Sequence, residues 1–201
     1  NRGTAYTKKG LYDDAIENYT KAIQINLKYA DAYNSRGVAY GEKGLYDEEI
    51  EDYTKAIKID PKSAIIYYNR GFAYDKKGLY DDAIENYTEA IKLNPEYAEA
   101  YYNCGTVYIK KGLYDEAIED FTTAIEIDPK LTVVYNNRGY AYYQKGLYDE
   151  AIEDFTKVIE LNPILGVAYY ARGRAYYSKG LYNKAISDFD KAKNLRSEEA
   201  K

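Results

Sequence analysis

Histidine, tryptophan and methionine are absent from the 201-residue chain, and cysteine occurs once. Without histidine there is no imidazole general base, no His-based catalytic triad and no imidazole metal ligand. One cysteine excludes an internal disulfide and a zinc cluster, so neither a metal nor a cofactor is expected. Long apolar runs are missing as well. None approaches the roughly 18 residues that a spanning helix needs, and no signal peptide or lipidation motif is visible, which leaves the compartment open with the cytoplasm as the default. Neither charge sign dominates: Lys plus Arg is 28, Asp plus Glu is 33, and the net charge is −5. A mildly acidic chain of mixed signs is poorly suited to phosphate backbones, so neither nucleic acid nor membrane is an expected partner.

Tyrosine is in excess, at 28 residues, and the rest of the information lies in spacing. Gly-Leu-Tyr begins at Gly10, Gly44, Gly78, Gly112, Gly146 and Gly180, always 34 residues apart. Pro61, Pro95, Pro129 and Pro163 keep the same step. A fixed period of this length signals stacked repeats, and it takes precedence over any local motif. The boundaries are 1–29 (partial), 30–63, 64–97, 98–131, 132–165 and 166–199, a single array over residues 1–201.

The unit 64–97 shows the local physics. Tyr67, Gly71 and Tyr74 recur at i, i+4 and i+7, one face of a helix. Gly78 ends that helix, because glycine adopts the left-handed turn without steric cost. Asp81 and Asp82 open a second helix, where carboxylates meet the positive end of the helix dipole. Ala83, Ile84, Tyr87, Ala90 and Ile91 form its apolar stripe, and Asn94-Pro95 stops it. Gly71, Ala83 and Ala90 are small where the two helices approach closely, and Tyr67, Tyr74 and Tyr87 fill the space between units. Burying an aromatic of this size stabilises by roughly 1.5–3 kcal/mol, so one hairpin cannot stand alone but a stack can.

The series Tyr67, Gly71, Tyr74, Ala83, Tyr87, Ala90, Pro95 resembles the tetratricopeptide repeat signature, and five further units repeat it in register. The resemblance implies an all-α fold, a right-handed α-solenoid of antiparallel helix pairs. It also implies that the first helices line a concave groove where peptides bind. Some positions depart from the pattern: Glu49 and Val158 replace alanines, Leu27 replaces a proline, and Cys104 replaces the arginine found at Arg36, Arg70, Arg138 and Arg172. Cys104 reads as a buried, inert thiol. Lys193 and Ser197 make the last repeat polar, as a terminal cap needs. The first repeat lacks the start of its first helix, and the chain does not begin with Met, so more repeats are expected before it.

Most conspicuous residues are scaffold. Twenty of the 28 tyrosines occupy four repeat positions. The carboxylate clusters, such as Asp115-Glu116 and Glu119-Asp120, recur in every unit and read as dipole complements on a solvated face, with no catalytic role. The Asn-Tyr-Thr triplets at Asn18 and Asn86 lie within helices and are discounted as glycosylation acceptors.

The first-helix face opposite Tyr67, Gly71 and Tyr74 is free of packing constraints. In the unit 64–97 it carries Ile65, Asn69, Phe72 and Lys76, flanked by Tyr68 and Asp75. Asn69, Asn103 and Asn137 form a ladder there, with Asn136 beside it and Asn1 in the partial unit. An amide offers both donor and acceptor, so the ladder can pair with a peptide backbone of any sequence; its other reading is a bond to a neighbouring helix. Six surplus tyrosines fall on this face or its flanks: Tyr68, Tyr102, Tyr140, Tyr143, Tyr170 and Tyr177. Tyrosine gives large contact area at low entropic cost, although drift toward tyrosine on an exposed surface would look the same. Lys8, Lys76, Lys110 and Arg174 balance Asp31, Glu42, Asp75 and Glu99. The carboxylate-clamp positions of the co-chaperone members of the family carry Tyr68, Thr106, Val133 and Asn137 here, so a chaperone tail is not the expected ligand. The expected function is non-catalytic: binding of a protein or peptide partner in the groove. The alternative is head-to-tail self-assembly through the partial N-terminal repeat.

Overall fold

In a computed structural model of the chain, which describes residues 2–199, the described residues form twelve α-helices and no strand. Asn1 and the side chains of Lys8 and Ser197 lie outside the described residues. With them lie the first rung of the asparagine ladder, one balancing charge and part of the terminal-cap reading. The helices are α1 (Arg2–Lys8), α2 (Tyr12–Ile25), α3 (Ala30–Glu42), α4 (Tyr46–Ile59), α5 (Ala64–Lys77), α6 (Tyr80–Leu93), α7 (Ala98–Lys111), α8 (Tyr114–Ile127), α9 (Thr132–Gln144), α10 (Tyr148–Leu161), α11 (Gly166–Ser178) and α12 (Tyr182–Glu199). They fall into two compact units, one ending at Asn103 and the other beginning at Cys104. Within each unit, consecutive helices pack on one another.

The turns behave as the glycine spacing predicts. Gly78 stands at φ 77°, ψ 14°, and the Leu79 N–H reaches back to the Tyr74 carbonyl at 3.0 Å. That closing bond satisfies a carbonyl the helix would otherwise leave unpaired. Between repeats, the Asn or Asp that follows the second helix folds its side chain onto the backbone two residues on. Asn94 Oδ1 accepts from Glu96 N at 3.2 Å, and Asn26 does the same for Lys28 at 3.0 Å although Leu27 stands where proline is usual. The asparagine, not the proline, is common to both turns.

The close approach of paired helices is built on glycine against an aromatic ring. A Cβ on Gly37 would sit 2.7 Å from Tyr53 Cε1, and one on Gly139 would sit 2.9 Å from Phe155 Cε1. Tyr53, Tyr87 and Phe121 are among the largest fully buried side chains. Tyr87 packs inside its own pair, against Gly71, while its equivalents Tyr19 and Phe155 also pack on Ala39 and Ala175 of the next repeat, as the sequence suggested for this position.

Three arginines of the repeat position are bound into the interior. Arg36, Arg138 and Arg172 each grip the aspartate sixteen residues on, Asp52, Asp154 and Asp188, with two bonds of 2.6–2.9 Å. Each also donates to the threonine sixteen residues back, Thr20, Thr122 or Thr156. Arg70 finds Asn86 instead, at 2.7 Å. These aspartates are buried, which corrects the reading of the second-helix carboxylates as solvated surface. The first-turn aspartates also reach the next repeat: Asp13, Asp47, Asp115 and Asp149 pair with Lys43, Lys77, Lys145 and Lys179.

Candidate functional site

In the first unit, the first-helix faces of α3 and α5 meet over α4 and leave a recess of about 490 Å³. Tyr68, Asn69, Phe72 and Lys76 of α5 line one side, Val38, Gly41 and Glu42 of α3 the other, and Tyr46, Glu49 and Tyr53 of α4 the floor. Three of the sequence-predicted residues, Tyr68, Asn69 and Lys76, thus come together in one place. Helical spacing on α5 put them on one face, and the antiparallel pairing of α3 with α4 supplied the opposite wall.

The asparagine ladder is already engaged. Asn69 Nδ2 donates to Asn34 Oδ1 at 2.9 Å, and Asn103 Nδ2 donates to the Tyr68 hydroxyl at 2.8 Å. These two rungs are each tied to a side chain of the preceding first helix. The amides are thereby held in fixed rotamers, with their Oδ1 atoms as the remaining acceptors. Tyr68 is itself braced by Tyr97, with ring centroids 4.9 Å apart, and by Tyr87 at 5.8 Å. Burial raises the pKa of Tyr68, so its hydroxyl stays neutral. Lys76 lies over the Phe72 ring at 4.9 Å. Tyr102 is half-buried nearby in sequence on α7.

The second unit carries a separate cluster on α9 and α11. Arg174 lies over the Tyr143 ring at 4.9 Å and donates to its hydroxyl at 3.4 Å. The same hydroxyl meets Ser178 Oγ at 3.2 Å. The hydrogen bond with Ser178 and then Arg174 hold the Tyr143 pKa below its ordinary value. Tyr170 packs on Phe189 and Tyr177 on Tyr182, at 5.6 and 5.4 Å, yet both remain exposed. Tyr140 and Lys110 are exposed, and Asn136 donates to Asn137 Oδ1 at 3.4 Å. A second recess of about 480 Å³ lies over the Arg138–Asp154 pair, with Glu153 and the Lys157–Glu160 ion pair also lining it.

Two features escaped the sequence reading. Glu49, which the sequence marks only as a departure from alanine, is 5% exposed and forms the recess floor. Burial pushes its carboxyl up to about 7, the Tyr53 hydroxyl at 3.0 Å opposes that, and Glu42 adds to it. Cys104 is buried as expected and its thiol is pushed up by burial and by Asp120. The cost of losing arginine there falls on Asp120. Its Oδ2 is buried without a partner, and its carboxyl is pushed up to about 6. Among the described residues, no group of three or more Cys, Asp or Glu could hold a metal ion. No described helix is long and apolar enough to cross a membrane.

Family models match almost the whole chain. A TPR repeat model covers residues 3–44, 42–78 and 76–112, and tetratricopeptide repeat models cover 98–131, 133–164 and 167–199. No curated protein matches by sequence. Among solved structures, MamA is 35% identical with a TM-score of 0.77, over 81% of this chain and 95% of that one. YrrB, described as a TPR protein with an unusual peptide-binding site, is 27% identical with a TM-score of 0.80, over 90% and 94%. The C-terminal part of a TPR repeat-containing protein from Cytophaga hutchinsonii shares the fold, with a TM-score of 0.87 at 24% identity over 98% and 78%.

Proposed function

The chain belongs to the tetratricopeptide repeat family, a scaffold for protein–protein interaction, and on that premise we propose that it holds an extended partner peptide along its first-helix faces. In the first unit the peptide backbone meets Asn69 and Asn103, and side chains meet Tyr68, Tyr102, Phe72 and Lys76. In the second unit Asn136, Asn137, Tyr140, Tyr143, Tyr170, Tyr177, Lys110 and Arg174 serve in the same way. The observation that carries this reading is the recess where Tyr68, Asn69 and Lys76 converge. Its amide and hydroxyl are pre-set by bonds to neighbouring helices, so little rotamer entropy remains to be lost on binding. A rigid aromatic and a fixed amide are what an extended peptide needs for side-chain and backbone contact respectively.

The test is a peptide-display selection on the intact chain, followed by calorimetry with the selected peptide. The Asn103→Ala, Asn137→Ala double variant is expected to weaken binding about tenfold, since each lost bond to a peptide group contributes roughly 0.5–1.5 kcal/mol. An unchanged affinity in a variant with wild-type circular dichroism removes the ladder from the account.

A further inference from the structure

Two departures from the repeat pattern face each other in the first unit. Position 49 is alanine in the other five repeats, at Ala15, Ala83, Ala117, Ala151 and Ala185, and glutamate only here. The position opposite carries Thr7, Asp75, Ile109, Tyr143 or Tyr177 elsewhere, and Gly41 only here. A Cβ on Gly41 would lie 2.5 Å from Glu49 Oε1 and 2.7 Å from Oε2. The glycine makes the room that the carboxylate occupies. A buried carboxylate is costly unless it is paired. Among the described residues Glu49 has one hydrogen bond, from the Tyr53 hydroxyl to Oε1, and no cation beside it. Lys76, the cation on the rim, is turned onto Phe72.

We propose that this recess receives a lysine or arginine side chain of the bound peptide, its charge set against Glu49 with Glu42 at the rim and its stem against Tyr68 and Phe72. The assignment rests on the peptide-binding reading above and gives the peptide a required chemistry. The walls suit a cation: the carboxylates supply charge, and the aromatic faces attract it further once water is excluded. The groups that face Glu49 are Glu42 of α3, Tyr46 and Tyr53 of α4, and Tyr68 and Lys76 of α5. Of these only Lys76 carries positive charge, and it competes from the rim. A carboxyl titrating at about 7 makes the pairing stronger at pH 8 than at pH 6, because only the ionised form attracts the guest.

The probes are blocked nonapeptide pools with one position fixed as arginine, lysine, norleucine or glutamate and the others randomised, titrated against the intact chain by fluorescence anisotropy. Arginine and lysine pools are expected to bind at least tenfold tighter than the norleucine pool, with the margin growing from pH 6 to pH 8. Glu49→Gln keeps the shape, and Glu49→Ala installs the residue of the other repeats. Both are expected to lose the margin, so that each variant binds the basic and norleucine pools alike. If pools bind without preferring a basic residue, or the preference survives both variants, the cation assignment is overturned and peptide binding stands. If no pool binds, both fall.

Discussion

At Cys104 one substitution leaves its mark on a different residue. Where the repeat has arginine, the partner aspartate is held by two charge-assisted bonds. Where it has cysteine, Asp120 is left with a buried oxygen that nothing satisfies. The thiol can donate only weakly. Cys104→Arg is therefore expected to raise stability by about 1.5–3 kcal/mol, the usual contribution of a hydrogen bond to a charged group. Thermal unfolding monitored by circular dichroism checks this, with Asp120→Ala in the same background as control. If Tm does not rise, or the rise survives loss of Asp120, the unpaired carboxylate is not the reason. The arginine itself was legible in the sequence as a recurring residue. Its aspartate partner was not, because a period places residues on faces without saying which faces meet.

The helix pair is the level at which glycine matters, and it does so in two ways. Gly37 is needed for contact: a methyl there would overlap the ring of Tyr53, which is 2% exposed and has nowhere to go. Gly78 is needed for conformation: its surroundings are open, but φ is 77°. Gly37→Ala is expected to cost about 1–3 kcal/mol through overpacking, and Gly78→Ala about 1 kcal/mol through the left-handed turn. Urea denaturation of the two variants gives the order, and a larger loss at Gly78 would show that the glycine–ring contact yields easily. The pairing of Gly41 with Glu49 follows the same geometry, with a carboxylate in the space a side chain would fill.

Across the chain, several carboxyls are raised by burial rather than lowered by pairing: Glu49 to about 7, Asp120 to about 6, and Asp154 upward even beside Arg138. A raised folded-state pKa means that the native chain holds its proton after the unfolded chain has lost it. The stability these groups provide is present below their unfolded values near 4, and it is lost as pH rises to the folded values. Tm is expected to fall by several degrees between pH 5 and pH 8, with the steepest part at pH 5–7. Glu49→Gln should remove part of that slope. A Tm that climbs over this window would mean that surface ion pairs outweigh the buried carboxyls. In a repeat protein, where each repeat contacts only the repeats next to it, such local terms add along the chain.

Period and residue type were enough to establish the six repeats, the helix ends at Gly78 and its equivalents, and the close-packing role of Gly71 and Ala83, because these depend on local conformation and on the 3.6-residue turn. They also brought Tyr68, Asn69 and Lys76 onto one face. The partners across the helix boundary came from tertiary packing alone: Asn34 for Asn69, Tyr68 for Asn103, Asp52 for Arg36, and Gly41 beneath Glu49. Side chains far apart in sequence meet only once two helices take up a definite distance and rotation. A linear pattern can mark a residue as unusual, but whether it is buried, paired or left facing a recess is decided by the neighbour that the fold places against it.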